Sequence, residues 1–202
     1  MILITVPHAA PGEGQDEGAT RFVYLLEDSL RQAGEIVTVI EGDVPRDILD
    51  LNRTDAAKSD FVMEVFDAMM EASVHIDLHS FPDISGETEH GYDLDVWREG
   101  TVVLFNIPEV TDAGLLSAIV GAFEDDGVAS MIQEAGFENY LTNAASTLFD
   151  APSILVEVND AAGRDYQMVV DALVEGIARF LAGQDTPDDV RTLDEEEQSP
   201  AQ

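Results

Sequence analysis

Short runs of β-branched and aliphatic residues alternate with longer amphipathic stretches along this chain, and that rhythm constrains the fold more than any other feature. "ILITV" from Ile2, "EIVTVIEG" from Glu35, "SVHIDLHS" from Ser73, "TVVLFNI" from Thr101 and "SILVEVN" from Ser153 each read as a strand. Between them, Thr20 to Gly34 spaces Phe22, Val23, Leu26 and Leu30 on one helical stripe and ends in glycine. A second helix is expected over about Ser59 to Ala72, with Phe61, Val62, Val65, Phe66 and Met69 on its apolar side. Further helices are expected over Asp112 to Phe123, over the short piece Met131 to Glu134, and over about Asp165 to Leu181. Alternation of this kind gives an α/β fold: a single-domain, mostly parallel (mixed) sheet with helices on both faces.

Composition narrows the class of molecule. At 202 residues the chain can bury one sizeable core. A domain over 1–182 is expected, followed by a flexible acidic tail over 183–202, where apolar periodicity stops and charge, Pro and Gln take over. A net charge of -33 from 42 acidic and 9 basic residues would by itself suit disorder, but 45% hydrophobic content with clear periodicity argues for a folded protein. Lys58 is the only lysine, and a carboxylate surface with so little lysine resembles the composition of extreme halophiles. The same charge argues against nucleic-acid phosphate or an anionic membrane as partner, while acidic mimicry of DNA stays open. Without cysteine there are no disulfides, thiolate metal sites or cysteine nucleophiles. The chain opens on the strand itself, with no signal-peptide pattern, and no apolar stretch reaches the roughly 20 residues a membrane span needs, so a soluble cytoplasmic protein is expected.

Two of the four histidines fall at strand ends. His8 follows "ILITVP", where Pro7, Pro11, Gly12 and Gly14 stop the first strand, and His79 ends "HIDLHSFP". In a parallel sheet both emerge at the edge where α/β proteins gather their ligands. Two imidazoles meeting there can hold a metal, and zinc commonly takes three protein ligands and one water. Glu13 lies in a glycine-rich loop that can fold its carboxylate back to the same ion; Asp16 and Glu17 compete with it for that place. Glu157 interrupts the apolar run "ILVEVN", where an unpaired buried carboxylate costs several kcal/mol unless it faces a cleft. There it can serve as general base toward water and as acid toward a leaving amine. Arg53 and Asn52 in "DLNRTD" offer a carboxylate clamp and an oxyanion or substrate donor. His75 and Asp77 share the face of His79 by the two-residue period, Asp77 or His75 as support for the ligands, with core packing the expectation for His75. His90, Tyr140, Tyr166, Arg98 and Arg164 are weaker candidates for the cleft.

"VPHAAPGE", "DLNR", "DLHSFP" and "ILVEVN", in that order, resemble the motifs of the N-formylglutamate amidohydrolase family and of its relatives the phage-type poly-γ-glutamate hydrolases, both similar to zinc carboxypeptidases. The likeness spans about Ile2 to Asn159, and His8 with Glu13 matches the spacing of the first motif. The resemblance implies a zinc-carboxypeptidase-like sheet between helices, one zinc ion per chain on His8, Glu13 and His79, and Glu157 as general acid and base. It also implies Arg53 with Asn52 as substrate and oxyanion contacts, and a small-molecule or peptide substrate cleaved at an amide or N-acyl bond. Two other readings of the sequence stand beside it: a non-enzymatic acidic interaction protein in which the histidines are incidental, and a metal phosphoesterase, which calls for two metals about 3.5–4 Å apart.

Overall fold

The computed structural model describes residues 1–88, 91–98, 102–134, 139–161 and 165–184. Strands β1 (Ile2–Val6), β2 (Val37–Glu41), β3 (Val74–Phe81), β4 (Val102–Asn106), β5 (Ser130–Glu134) and β6 (Ser153–Asn159) form a 6-stranded sheet in the order β2-β1-β3-β6-β4-β5. Neighbours among β2, β1, β3 and β6 run parallel; β4 is antiparallel to β6, and β5 is parallel to β4. The sheet is therefore mixed, as expected. Helices α1 (Glu17–Gln32), α2 (Asp60–Met69), α3 (Leu94–Trp97), α4 (Ala113–Asp126), α5 (Tyr140–Phe149) and α6 (Gln167–Gln184) complete the described elements, with a 3-10 turn at Thr54–Ala56. Four helices start as side-chain chemistry dictates: Ser59, Asp93, Asp112 and Asn139 accept bonds from the backbone N–H groups of Val62, Asp95, Leu115 and Thr142. The piece Met131 to Glu134, expected as a helix, is instead edge strand β5, because a run that short carries too few residues to separate the two periods.

The period-two alternation of the strands sorts the sheet into unlike faces. One face carries Ile2, Ile4 and Val6 with Ile76, Leu78, Ile154, Val156, Val158, Val102 and Leu104, and packs under residues of α1, α4 and α6. The other face is split. Leu3 on β1 joins the residues of α2 and α5 in one cluster, while Phe81, Val103, Phe105 and Leu155 join Leu94 and Trp97 of α3 in another. On the central strands between these clusters the same face carries Thr5, His75, Asp77, His79, Ser153 and Glu157. The register aligns Thr5 with Asp77, His75 with Ser153 and His79 with Glu157. A file of polar side chains down the middle of a sheet face carries a desolvation cost unless its members satisfy one another, so it marks where packing has yielded to another demand.

Candidate metal centre and cleft

Pro7 carries the chain out of β1, and His8 turns its ring back over the strand ends, 2% exposed. Its Nδ1 lies 3.2 Å from Oδ2 of Asp16, and Nδ1 of His79 lies 3.0 Å from the same oxygen. The two rings sit edge to face, 4.9 Å apart. Asp16 occupies the cap position of α1, yet its side chain makes no cap bond; it is turned to the imidazoles instead. The approach of α1 depends on Gly18, where a Cβ would lie 2.7 Å from that of Asp160 and 2.9 Å from that of Ser80. Likewise Gly42 admits Pro7, whose carbonyl oxygen would be 2.0 Å from a Cβ there.

The opposite nitrogen of each ring meets another carboxylate. His8 Nε2 lies 2.9 Å from Asp50 Oδ1, and His79 Nε2 lies 3.3 Å from Asp77 Oδ2. A carboxylate behind an imidazole orients the ring, and a metal at the cluster would replace the proton that each forward nitrogen shares with Asp16. The forward atoms of His8, Asp16 and His79 lie within 4.8 Å of one another, and the two nitrogen–oxygen separations are near the edge of about 3.3 Å that tetrahedral zinc with bonds of 2.0–2.1 Å requires. Two nitrogens and one oxygen on such a frame fit a zinc-type ion. Burial opposes charge on His79, but Asp77 and then Asp16 outweigh it and hold its pKa well above the ordinary value. Burial likewise pushes Asp16 and Asp50 upward and is outweighed, by His79 and His8 for Asp16 and chiefly by His8 for Asp50, so both carboxyls stay below their usual range.

Asp77 is fully buried, and its charge is answered from every side. Thr5 donates to Oδ1 at 2.7 Å; the amides of Asn52 and Asn139 donate to Oδ2 at 2.7 and 2.9 Å. Burial would raise its pKa, but His79 above all, with the hydrogen bond from Thr5, keeps it low. The proton order beneath it follows from valence. Since the Thr5 hydroxyl gives its proton to Asp77, its oxygen accepts from His75 Nε2 at 3.0 Å, and His75 Nδ1 in turn accepts from Ser153 at 2.8 Å. Burial drives His75 down to about 4, so it remains neutral as that order requires. His75 is thus a satisfied core histidine that supports Asp77 through Thr5.

A cleft of about 300 Å³ opens beside these groups, bordered on its polar side by His8, Asp16, His79, Glu157, Arg46 and Arg53. Glu157 is half-buried, next to His79 on the adjoining strand. Burial pushes its carboxyl up to about 7, against a downward pull from His79. Arg46 Nε and Arg53 Nε stand 3.5 and 3.7 Å from Asp50 Oδ2, which places both guanidinium groups at the rim.

His8, His79, Glu157 and Arg53 border one cleft, and Asp16 borders it with them. Glu13 is solvent-exposed, and so is Glu17 in the first turn of α1. The loop folds so that, of the three carboxylates the sequence offers for that place, the one reaching both imidazoles is that of Asp16. Asn52 borders the cleft, but its amide is engaged within the protein: Nδ2 donates to Asp77 and Oδ1 accepts from the Leu141 N–H at 3.0 Å. The same Nδ2 also lies 2.9 Å from His79 Nε2. Asp50, Asn139 and Arg46 were not expected at the site. Asp50 stands in the quoted "DLNRTD" and a carboxylate partner for His8 was the signal to look for, whereas nothing local marks Asn139 or Arg46. Tyr166 is buried, with its hydroxyl on the Asn159 carbonyl; Tyr140 packs beside Phe66, and Arg98 pairs with Asp83 and Asp95. His90, Arg164 and residues 185–202 of the expected tail lie outside the described residues, while 183 and 184, expected in that tail, close α6.

No protein-family model matches the chain, and no curated protein matches it by sequence. Solved structures do match in shape. A gene product of Agrobacterium tumefaciens superposes with a TM-score of 0.66 at 13% identity, covering 91% of this chain and 90% of that one. The N-formylglutamate amidohydrolase of Ralstonia eutropha gives 0.52 at 11% identity over 91% and 92% of the two chains. A mutant pyrrolidone carboxyl peptidase from Pyrococcus furiosus gives 0.51 at 11% identity over 91% and 99%. At such identity the likeness is one of architecture: the chain has the α/β fold on which an amidohydrolase and a carboxyl peptidase are built.

Proposed function

We propose that the protein is a zinc-dependent hydrolase, one ion per chain, that cleaves an amide or N-acyl bond in an acidic amino-acid derivative or peptide. The observation that carries this reading is the meeting of His8, Asp16 and His79 in the cleft that Glu157 also lines. His8 and His79 would hold the ion through Nδ1 and Asp16 through its carboxylate, in place of Glu13. Bound there, zinc supplies an acidified water and a polarised carbonyl, so no serine or cysteine nucleophile is called for. Glu157 takes a proton from the attacking water and delivers it to the departing amine nitrogen, and a pKa near 7 suits both transfers. Asp50 and Asp77 keep the two imidazoles oriented, with Asn52, Asn139 and Thr5 fixing Asp77. Arg46 and Arg53 bind the substrate's carboxylate in two-pronged fashion. The shared fold with an N-formylglutamate amidohydrolase supports the acidic amide as substrate class.

The test is elemental analysis of the purified full chain together with a chelator-reversible hydrolysis screen over N-formyl, N-acyl and γ-glutamyl substrates. About one zinc per chain is expected, and two would favour the phosphoesterase reading. Glu157→Gln is expected to lower the rate on the order of 10²–10⁴-fold with the metal retained. Full activity in that variant overturns the role of Glu157, and stoichiometric metal in both His8→Ala and His79→Ala moves the site elsewhere.

A further inference from the structure

The cleft has a second half that the chemistry above does not use. Phe81 lies two residues beyond His79 on the same face of β3, and Leu155 lies two residues before Glu157 on β6, so the strand period itself lays an apolar floor beside the polar groups. Phe105, the register partner of Leu155, extends that floor onto β4. Trp97 packs against it, its ring edge to face with Phe81 at 5.4 Å and with Phe105 at 5.6 Å, while Tyr92 stacks on it at 5.5 Å. The indole N–H donates to Gln133 at 3.1 Å, and with Trp97 only 2% exposed its ring forms the buried wall of this half. Ile84, 58% exposed on the loop after β3, forms the rim. All of these residues line the cavity that also holds the candidate metal ligands. A formyl group, a single carbon, would fill none of this half.

We propose that the aromatic half is an acyl subsite and that the substrate is an N-acylated acidic amino acid or peptide whose acyl side carries an aromatic or branched apolar group. The proposal rests on the hydrolase reading of the same site. With the scissile amide at the ligand cluster and the carboxylate on Arg46 and Arg53, the acyl group is the part left to enter the aromatic half. Rings already arranged edge to face accept a further ring in the same geometry. Pockets of this kind take their affinity from apolar walls and their orientation from a few polar groups.

Trp97 is the chain's only tryptophan, so its emission reports occupancy of the subsite whether or not turnover occurs. The experiment measures kcat/KM of the full chain on N-benzoylglutamate and N-formylglutamate, and titrates both into Glu157→Gln while following Trp97 emission. The benzoyl compound is expected to shift the emission and to be favoured on the order of tenfold or more in both measurements. Ile84→Ser and Tyr92→Ala are expected to erode that preference while N-formylglutamate is handled as before. Equal or better hydrolysis of the formyl compound overturns the subsite and leaves the hydrolase standing. Tight benzoyl binding with a Trp97 shift, eroded by Ile84→Ser but without hydrolysis of either compound, supports the subsite and overturns the hydrolase. Absence of both binding and hydrolysis overturns the two together.

Discussion

Burial lifts the Glu157 carboxyl to about 7 from an ordinary 4.5, and two consequences of opposite sign follow. As a base it acts only when ionised, so hydrolysis should rise as pH climbs through about 7, read as the acidic limb of the kcat/KM profile. Stability moves the other way. The folded form keeps its proton above the unfolded value, so the contribution is whole below about 4.5 and is lost as pH rises through about 7. Glu157→Gln should therefore melt higher than the parent at pH 8 and nearly alike at pH 5, as calorimetry would show. Behind the imidazoles, Asp50→Asn and Asp77→Asn each should weaken metal binding by about 10–100-fold in a chelator competition. Unchanged affinity in both would mean that neither carboxylate orients its ring.

Among the elements, the start of α1 and the loop after β2 set the site by how closely they approach the strand ends. Gly18→Ala places a Cβ against Asp160 and Ser80 and should push the first turn of α1, with Asp16, off the sheet. Gly42→Ala does the same to Pro7 and hence to His8. Each should cost about 1–3 kcal/mol in denaturant unfolding and should also lower metal affinity. Gly121→Ala in α4 meets its nearest atom at 3.8 Å and serves as the control, with stability held or raised by about 1 kcal/mol through helix propensity. Loss of metal affinity in that control would point to a general loosening instead of a local displacement.

Over the whole molecule the dominant force outside the core is self-repulsion among 42 acidic residues against 9 basic ones. The exposed pairs of Arg98 with Asp83 and Arg179 with Asp125 relieve it only locally. Molar salt shortens the screening length to about 3 Å, so the melting midpoint should climb steeply as KCl is raised from low to molar concentration. A midpoint indifferent to salt would show that the charge is dispersed well enough to need no screening. No helix among the described residues is long and apolar enough to cross a membrane.

The strands ILITV, VHIDLHSF and SILVEVN were legible because burial and a two-residue period are local properties, and the same period put His75, Asp77 and His79 on one face before any neighbour was known. The helical stripes were legible for the same reason, whereas α5 was not foreseen and α3 is too short to show a period. What the chain could not announce is which strands lie side by side: the reversal of β4 against β6, and the register that sets Glu157 beside His79, come from long-range pairing. The choice of Asp16 over Glu13 belongs to the same class, since three carboxylates within one loop are equivalent until the fold of that loop decides which faces the imidazoles. Sequence fixes periodicity and the kinds of groups present; only packing across distant segments decides which of those groups meet.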